Sequence, residues 1–191
     1  RAPSNSKVRY ATSRRYLYRL ETIEEWPFEN DSSVINQACS ILLGEHNFSN
    51  LSRLVKGVDP VRTVDECSPW HSEDGRLIGF SISAKSFIWN QVRRIASALS
   101  GIASGRLEIA ELQSALSNPD VRVDLGRGPA EGLVLWGIWH IDFDSSLSDT
   151  LPTAASFTRR PRDPREYRRW LELSRYEMAA FLEKEWLSRI N

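Results

Sequence analysis

The sequence predicts an α+β fold, an antiparallel sheet with helices on one face, followed by a C-terminal helix. Three observations predict it. Segments rich in β-branched and aromatic residues alternate with a period of two, and others repeat apolar residues at helical spacing. Their order along the chain is strand, helix, strand, strand, helix, helix, strand. With the short extra helix set aside, this β-α-β-β-α-β order is that of a ferredoxin-like split βαβ unit.

Strand one covers 8–20, where Tyr16, Tyr18 and Leu20 alternate with Leu17 and Arg19. Asp31 or Ser32 caps a helix over 33–43, with Val34, Ile35, Ala38, Cys39 and Leu42 at helical spacing, and Gly44 stops it. Two strands, 61–70 and 77–85, flank the turn signal Glu73-Asp74-Gly75, and Ile78, Phe80 and Ile82 are expected on one face. Over 87–103, Ile88, Val92, Ile95, Leu99 and Ile102 mark the main helix, and a shorter one follows at 108–117. Residues 133–143 form the most apolar strand, expected inside the sheet.

These elements form a domain over 1–143. Residues 144–165 are polar, hold three prolines and read as a linker. The extension over 166–191 is helical in composition, and Trp170, Leu173, Met178, Phe181, Leu182 and Trp186 give it enough apolar surface to dock.

At 191 residues the chain is long enough to bury roughly 70% of its unfolded surface without staples. Its 41% apolar and 26% charged residues exclude a wholly disordered chain. No apolar run reaches the ~20 residues of a membrane span, and the N-terminus lacks a signal-peptide core. Cys39, Cys67, His46, His71 and His140 match no zinc spacing, so no metal is expected and a reduced, cytoplasmic setting is, with nucleus or organelle left open.

The formal net charge of zero is unevenly distributed. Residues 1–19 carry +6, residues 20–150 carry −9 and residues 151–191 carry +3. Only four of the 25 basic residues are lysines. Arginine forks suit phosphates and carboxylates, so the basic ends fit an anionic partner, or else are simply solvated. Arg14, Arg15, Arg159, Arg160 and Arg162 are the candidate phosphate contacts.

Phosphate loops and nucleophile elbows are missing as motifs: Gly126-Arg127-Gly128 precedes Pro129 rather than a helix. Three patterns remain, Arg14-Arg15-Tyr16-Leu17-Tyr18, Phe87 through Arg94, and Pro129 through Leu135. Each alone is also the ordinary pattern of an amphipathic strand, a solvated helix start, or a turn before a core strand.

Together they resemble the second half of a TruA-family tRNA pseudouridine synthase over about 9–143. The matching motifs, in order, are Arg15-Tyr16-Leu17-Tyr18, Gly44-Glu45-His46-Asn47-Phe48, Arg62-Thr63-Val64, the Phe87-to-Arg93 helix entry, and Gly132-Leu133-Val134-Leu135.

The resemblance implies a cofactor-free isomerase that breaks the C1′–N1 bond of a tRNA uridine, in the anticodon stem-loop, and rejoins the base through C5. It implies that Tyr16 packs on the target base, that Arg93 pairs with a catalytic aspartate, and that Leu133 floors the pocket. It also implies tRNA as partner and a homodimer. The family's aspartate belongs to an earlier segment, so the chain alone is expected to be inactive without that first half. Arg122-Val123-Asp124-Leu125-Gly126 imitates the segment but reads as a decoy. The alternatives are a non-catalytic RNA-binding or assembly module of the same fold, and an interaction domain with no RNA role.

Overall fold

The structure, a computed structural model, describes residues 11–140 and 157–190. Outside them lie Arg1, Lys7 and Arg9 of the basic N-terminal stretch, residues 8–10 and 141–143 of the first and last expected strands, and residues 144–156 of the expected linker.

Five strands form one antiparallel sheet: β1 Ala11–Arg19, β2 Gly44–Asn47, β3 Val61–His71, β4 Leu77–Ala84 and β5 Leu133–His140. Their spatial order is β2-β3-β4-β1-β5, so β5 is an edge strand rather than the interior one expected, its apolar Val134 and Trp136 being covered by α4 instead. Without the four-residue β2, this is the strand order of the ferredoxin-like unit. The short β2 is not expected from the sequence. It is an edge strand of Gly, Glu, His and Asn, whose pairing with β3 from Gly44↔Val64 to Asn47↔Val61 comes from tertiary structure rather than apolar alternation.

Helix α1 (Ser32–Leu42) starts where Asp31 accepts a hydrogen bond from the Ser33 amide at 2.8 Å. It ends before Gly44, whose φ of +88° suits glycine. Helix α2 (Gln91–Ala103) begins four residues later than the apolar spacing suggests. Asn90 adopts φ +63°, and the Gln91 side chain accepts from the Ile88 amide, so Phe87 and Trp89 sit on a turn before the helix. Helix α3 (Ile109–Ser117) opens with a reciprocal Glu108–Glu111 capping box.

These helices cover one face of the sheet. Tyr18, Phe80, Ile82 and Val64 meet Ile35, Leu42, Val92, Ile95 and Leu99 there, with Tyr16, Phe87 and Leu133 packed at the margin. Helix α4 (Pro164–Ile190) lies on the other face, where Leu17, Trp70, Ile78, Val134, Trp136, Phe157 and Met178 form a second apolar cluster. Burying a side chain of that size contributes roughly 1.5–3 kcal/mol.

Ile78 does not share a face with Phe80 and Ile82. Trp70 pairs with Gly79 but His71 pairs with Leu77, so β4 holds one extra residue. That bulge flips the alternation, and Leu77 takes the helix-side position.

Residues 157–163 pack against the sheet domain. Phe157 is buried, and the Thr158 carbonyl accepts from Arg19 Nη2 at 2.6 Å and from the Trp170 indole at 3.0 Å. Arg19 is fully buried between the Phe157 and Trp170 rings, and pairs with Glu21 at 2.9 Å and Glu177 at 2.6 Å. Among the described residues, no helix is long and apolar enough to cross a membrane.

Candidate active site and nucleic-acid interface

Strand β1 runs between β4 and β5, which sets Tyr16 opposite Ile82 on one side and Leu135 on the other. The period of two directs Tyr16 and Tyr18 to the face that bears α2. They occupy different environments. Tyr18 is buried, and its hydroxyl donates to the Pro129 carbonyl at 2.8 Å. Tyr16 is half-buried and meets Phe87 edge-on at 5.2 Å. Among the described residues, no hydrogen bond engages its hydroxyl. Desolvation raises the Tyr16 pKa, partly offset by Arg14, so the phenol is neutral at pH 7 and can both donate and accept.

Arg93 lies in the first turn of α2. Its Nε–H donates to the Gly128 carbonyl at 2.8 Å, and the Gly128 amide donates back to the Arg93 carbonyl at 2.9 Å. Gly128 is required there: a Cβ would meet the Tyr18 hydroxyl at 2.3 Å. Arg93, Tyr18 and the 128–129 backbone are thus one contact group, and the Arg93 charge reaches the Tyr18 phenol. Among the described residues, no acid pairs with Arg93.

Arg93 lines an open cleft of about 580 Å³ together with Arg106, Gly126, Pro129 and Tyr167. Tyr16 is not part of that lining; it is the next residue but one to Tyr18 along β1, on the same face. Leu133 pairs with Tyr18 across the sheet and packs half-buried on that face too. The structure therefore brings Tyr16, Arg93 and Leu133 to one side of the sheet. Among the described residues, α4 is the helix with the substantial contact with β5, on the opposite face.

Asp124 is turned elsewhere. Its carboxylate accepts from Arg94 Nη1 at 2.8 Å and from the Gly126 amide at 2.9 Å, and these bonds hold its pKa low. It is an exposed turn residue beside Arg94, not a partner of Arg93.

The five candidate phosphate arginines do not form one patch. Arg14 donates to the Lys85 carbonyl on the Tyr16 side. Arg15 points to the other face, where it is buried, pairs with Glu66 and lies 5.3 Å from the Trp139 ring. Arg159 pairs with Asp74 at 2.9 Å. Arg160 donates to the carbonyls of Ile23, Glu24 and Trp26, and Arg162 stacks over Phe28 at 4.9 Å. The last three hold residues 157–163 to the segment after β1 or to the β3–β4 turn.

Sequence reasoning considered Gly128 only within Gly126-Arg127-Gly128, set aside as a phosphate loop, and did not single out Arg53. The signal for a structural role of Gly128 was its place just before the Pro129 motif. None marked Arg53, whose guanidinium stacks on Trp89 at 4.1 Å.

Comparison with known proteins shows the family. A family model described as tRNA pseudouridine synthase matches residues 38–144. The chain is 40% identical over 131 residues to tRNA pseudouridine synthase A of Methanocorpusculum labreanum, a match covering 68% of this chain and 43% of that protein. It is 35% identical over 113 residues to the Thermococcus kodakarensis protein of the same name, covering 59% and 40%. With the Methanosphaerula palustris protein, also of that name, identity is 33% over 167 residues, covering 87% and 51%. The chain spans about half the length of the curated relatives it matches. By the family model and these relatives, the chain belongs to the tRNA pseudouridine synthase family.

Proposed function

We propose that this chain supplies one wall of the uridine site of a tRNA pseudouridine synthase, an isomerase that detaches uracil at N1 and reattaches it at C5. The observation that carries the reading is Arg93: a guanidinium aimed by Gly128, paired with no acid among the described residues although Glu24 and Glu25 line the same cleft, on the same side of the sheet as a half-buried tyrosine. Its Nε is occupied, and the terminal nitrogens are left to grip a carboxylate in the two-pronged manner arginine favours.

In this reading the carboxylate comes from a segment outside these 191 residues, and the chain alone is inactive. Arg93 keeps that carboxylate ionised, because a nearby cation favours the charged form in a site from which water is excluded. The ionised carboxylate attacks the sugar C1′ as the C1′–N1 bond breaks and uracil leaves with that electron pair, and it is released again when C5 of the turned base bonds to C1′. Tyr16 offers its ring to a uridine splayed out of its stack, an extrusion that costs a few kcal/mol. Its neutral hydroxyl can relay a proton, passing its own to N1 as it accepts the one lost from C5. Leu133 bounds the pocket from β5.

The substrate on this reading is tRNA, at a uridine of the anticodon stem-loop, and the assembly is a homodimer. The names of the relatives support tRNA, and the basic, arginine-rich ends support an anionic partner. Pseudouridine formation on a tRNA transcript by the full-length protein tests the reading. Product expected from the wild type and lost on Arg93→Ala supports it; wild-type protein that binds tRNA yet forms no pseudouridine favours the non-catalytic binding module instead.

A further inference from the structure

Trp89 is 57% exposed although it sits in a well-packed turn. Its surroundings fix it. The Trp89 carbonyl accepts from the Arg53 amide at 2.8 Å, and the Arg53 guanidinium lies over the indole, 4.1 Å from the ring centre. On either side, Ile88 is tied to Gln91 through both backbone and side chain, and Asn90 takes the left-handed conformation that ends the turn. The indole is thus an exposed flat surface held by two segments distant in sequence.

Its position bears on the proposed pocket. Phe87, two residues earlier, touches the Tyr16 ring edge-on at 5.2 Å. Cations lie near in the chain: Arg14 donates to the carbonyl of exposed Lys85, four residues before Trp89, and Arg53 shares its exposed loop with Lys56. The acid of that loop, Asp59, is occupied by the Val61 amide.

We propose that Trp89, backed by Arg53, is a stacking ledge for an RNA base next to the one held at Tyr16. The inference rests on the uridine-site reading. Extruding a base leaves its neighbours without a stacking partner. An aromatic ring replaces that partner for any base, because every base has a π face, and an adjacent guanidinium adds cation–π and phosphate attraction. Leu54, Val55 and Val58, in the loop that follows Arg53, are exposed as well.

The test uses the full-length protein with a tRNA transcript, comparing wild type, Trp89→Ala, Trp89→Phe and Arg53→Ala. Each is measured for tRNA Kd, its salt dependence, single-turnover rate and Tm. Trp89→Ala is expected to weaken binding about 5- to 150-fold, as loss of one stacked base does. Trp89→Phe should recover most of that loss, with Tm and salt slope unchanged. Arg53→Ala should weaken binding less and flatten the salt slope. Unchanged Kd for Trp89→Ala overturns the ledge. So does a fall in Tm with unchanged Kd, which would mean that another part of the protein covers the indole. Absence of pseudouridine from the wild-type reaction sinks the uridine-site reading instead, and is seen before any Trp89 variant is made.

Discussion

Arg93 and Gly128 hold each other twice, the guanidinium Nε–H on the Gly128 carbonyl at 2.8 Å and the Gly128 amide on the Arg93 carbonyl at 2.9 Å. The paired bonds fix the direction of the guanidinium from both ends of the side chain. They also tie α2 to the segment that leads into β5.

Arg93→Ala should therefore suppress turnover strongly. Leaving a carboxylate unpaired in a dry site costs about 3–5 kcal/mol, or roughly a hundredfold to several thousandfold in rate. A carboxylate without its cation protonates more readily, so the acid limb of any residual pH–rate profile should move to higher pH. Arg93→Lys should retain part of the rate, since the charge survives but the Gly128 contact and the fork do not. Near-normal single-turnover rates for Arg93→Ala would remove this residue from the chemistry.

Tyr16→Ala should lower turnover far more than tRNA affinity, because most binding contacts are to phosphates elsewhere. Tyr16→Phe separates ring from hydroxyl. A loss of roughly 10²–10⁴ in rate for Phe, with unchanged Kd, assigns the hydroxyl to proton transfer; full activity assigns the work to the ring. Equal losses of rate and affinity in Tyr16→Ala would contradict the assigned role.

Gly128→Ala should be destabilising by about 1–3 kcal/mol, since the new methyl meets the Tyr18 hydroxyl at 2.3 Å. Tyr18→Phe removes that oxygen. Thermal unfolding of the double variant should show less destabilisation than the sum of the single variants, because the two positions are in contact. Strict additivity would mean that the backbone, not Tyr18, resists the methyl.

Acid should loosen residues 157–190 from the sheet. Burial alone would raise the Glu177 pKa, but bonds from Thr158 and Arg19 outweigh it and the net shift is downward. Asp74 is held down to about 2, first by Ser72 and then by Arg159. A lowered folded-state pKa contributes stability above the unfolded value and loses it as pH falls through the folded one. Protection of the α4 amides from hydrogen exchange should fall as pH drops below about 4.5 toward 2. Glu177→Gln should weaken docking at pH 7 and flatten this dependence. An α4 that stays fully protected at pH 2 would show that the apolar cluster alone holds it.

What the sequence alone determined was local: alternation along β1 puts Tyr16 and Tyr18 on one face, helical spacing marks α2, and the order of elements specifies the sheet topology. Tyr16, Arg93 and Leu133 became candidates through the resemblance of the motifs that carry them, and periodicity adds only the element on which each lies. Only the tertiary structure decided what covers each face. Arg15 and Arg19 share the parity of Leu17, and nothing local says that Arg19 becomes buried under Phe157 and Trp170. The β4 bulge at Ile78 depends on pairing with Trp70, across the sheet. The same holds for Arg160, which holds a distant backbone, and for Trp89, whose guanidinium partner lies 36 positions earlier in the chain. Strand and helix periodicity is written in neighbouring residues; burial of a charge or exposure of a ring depends on elements that meet only when the chain has folded.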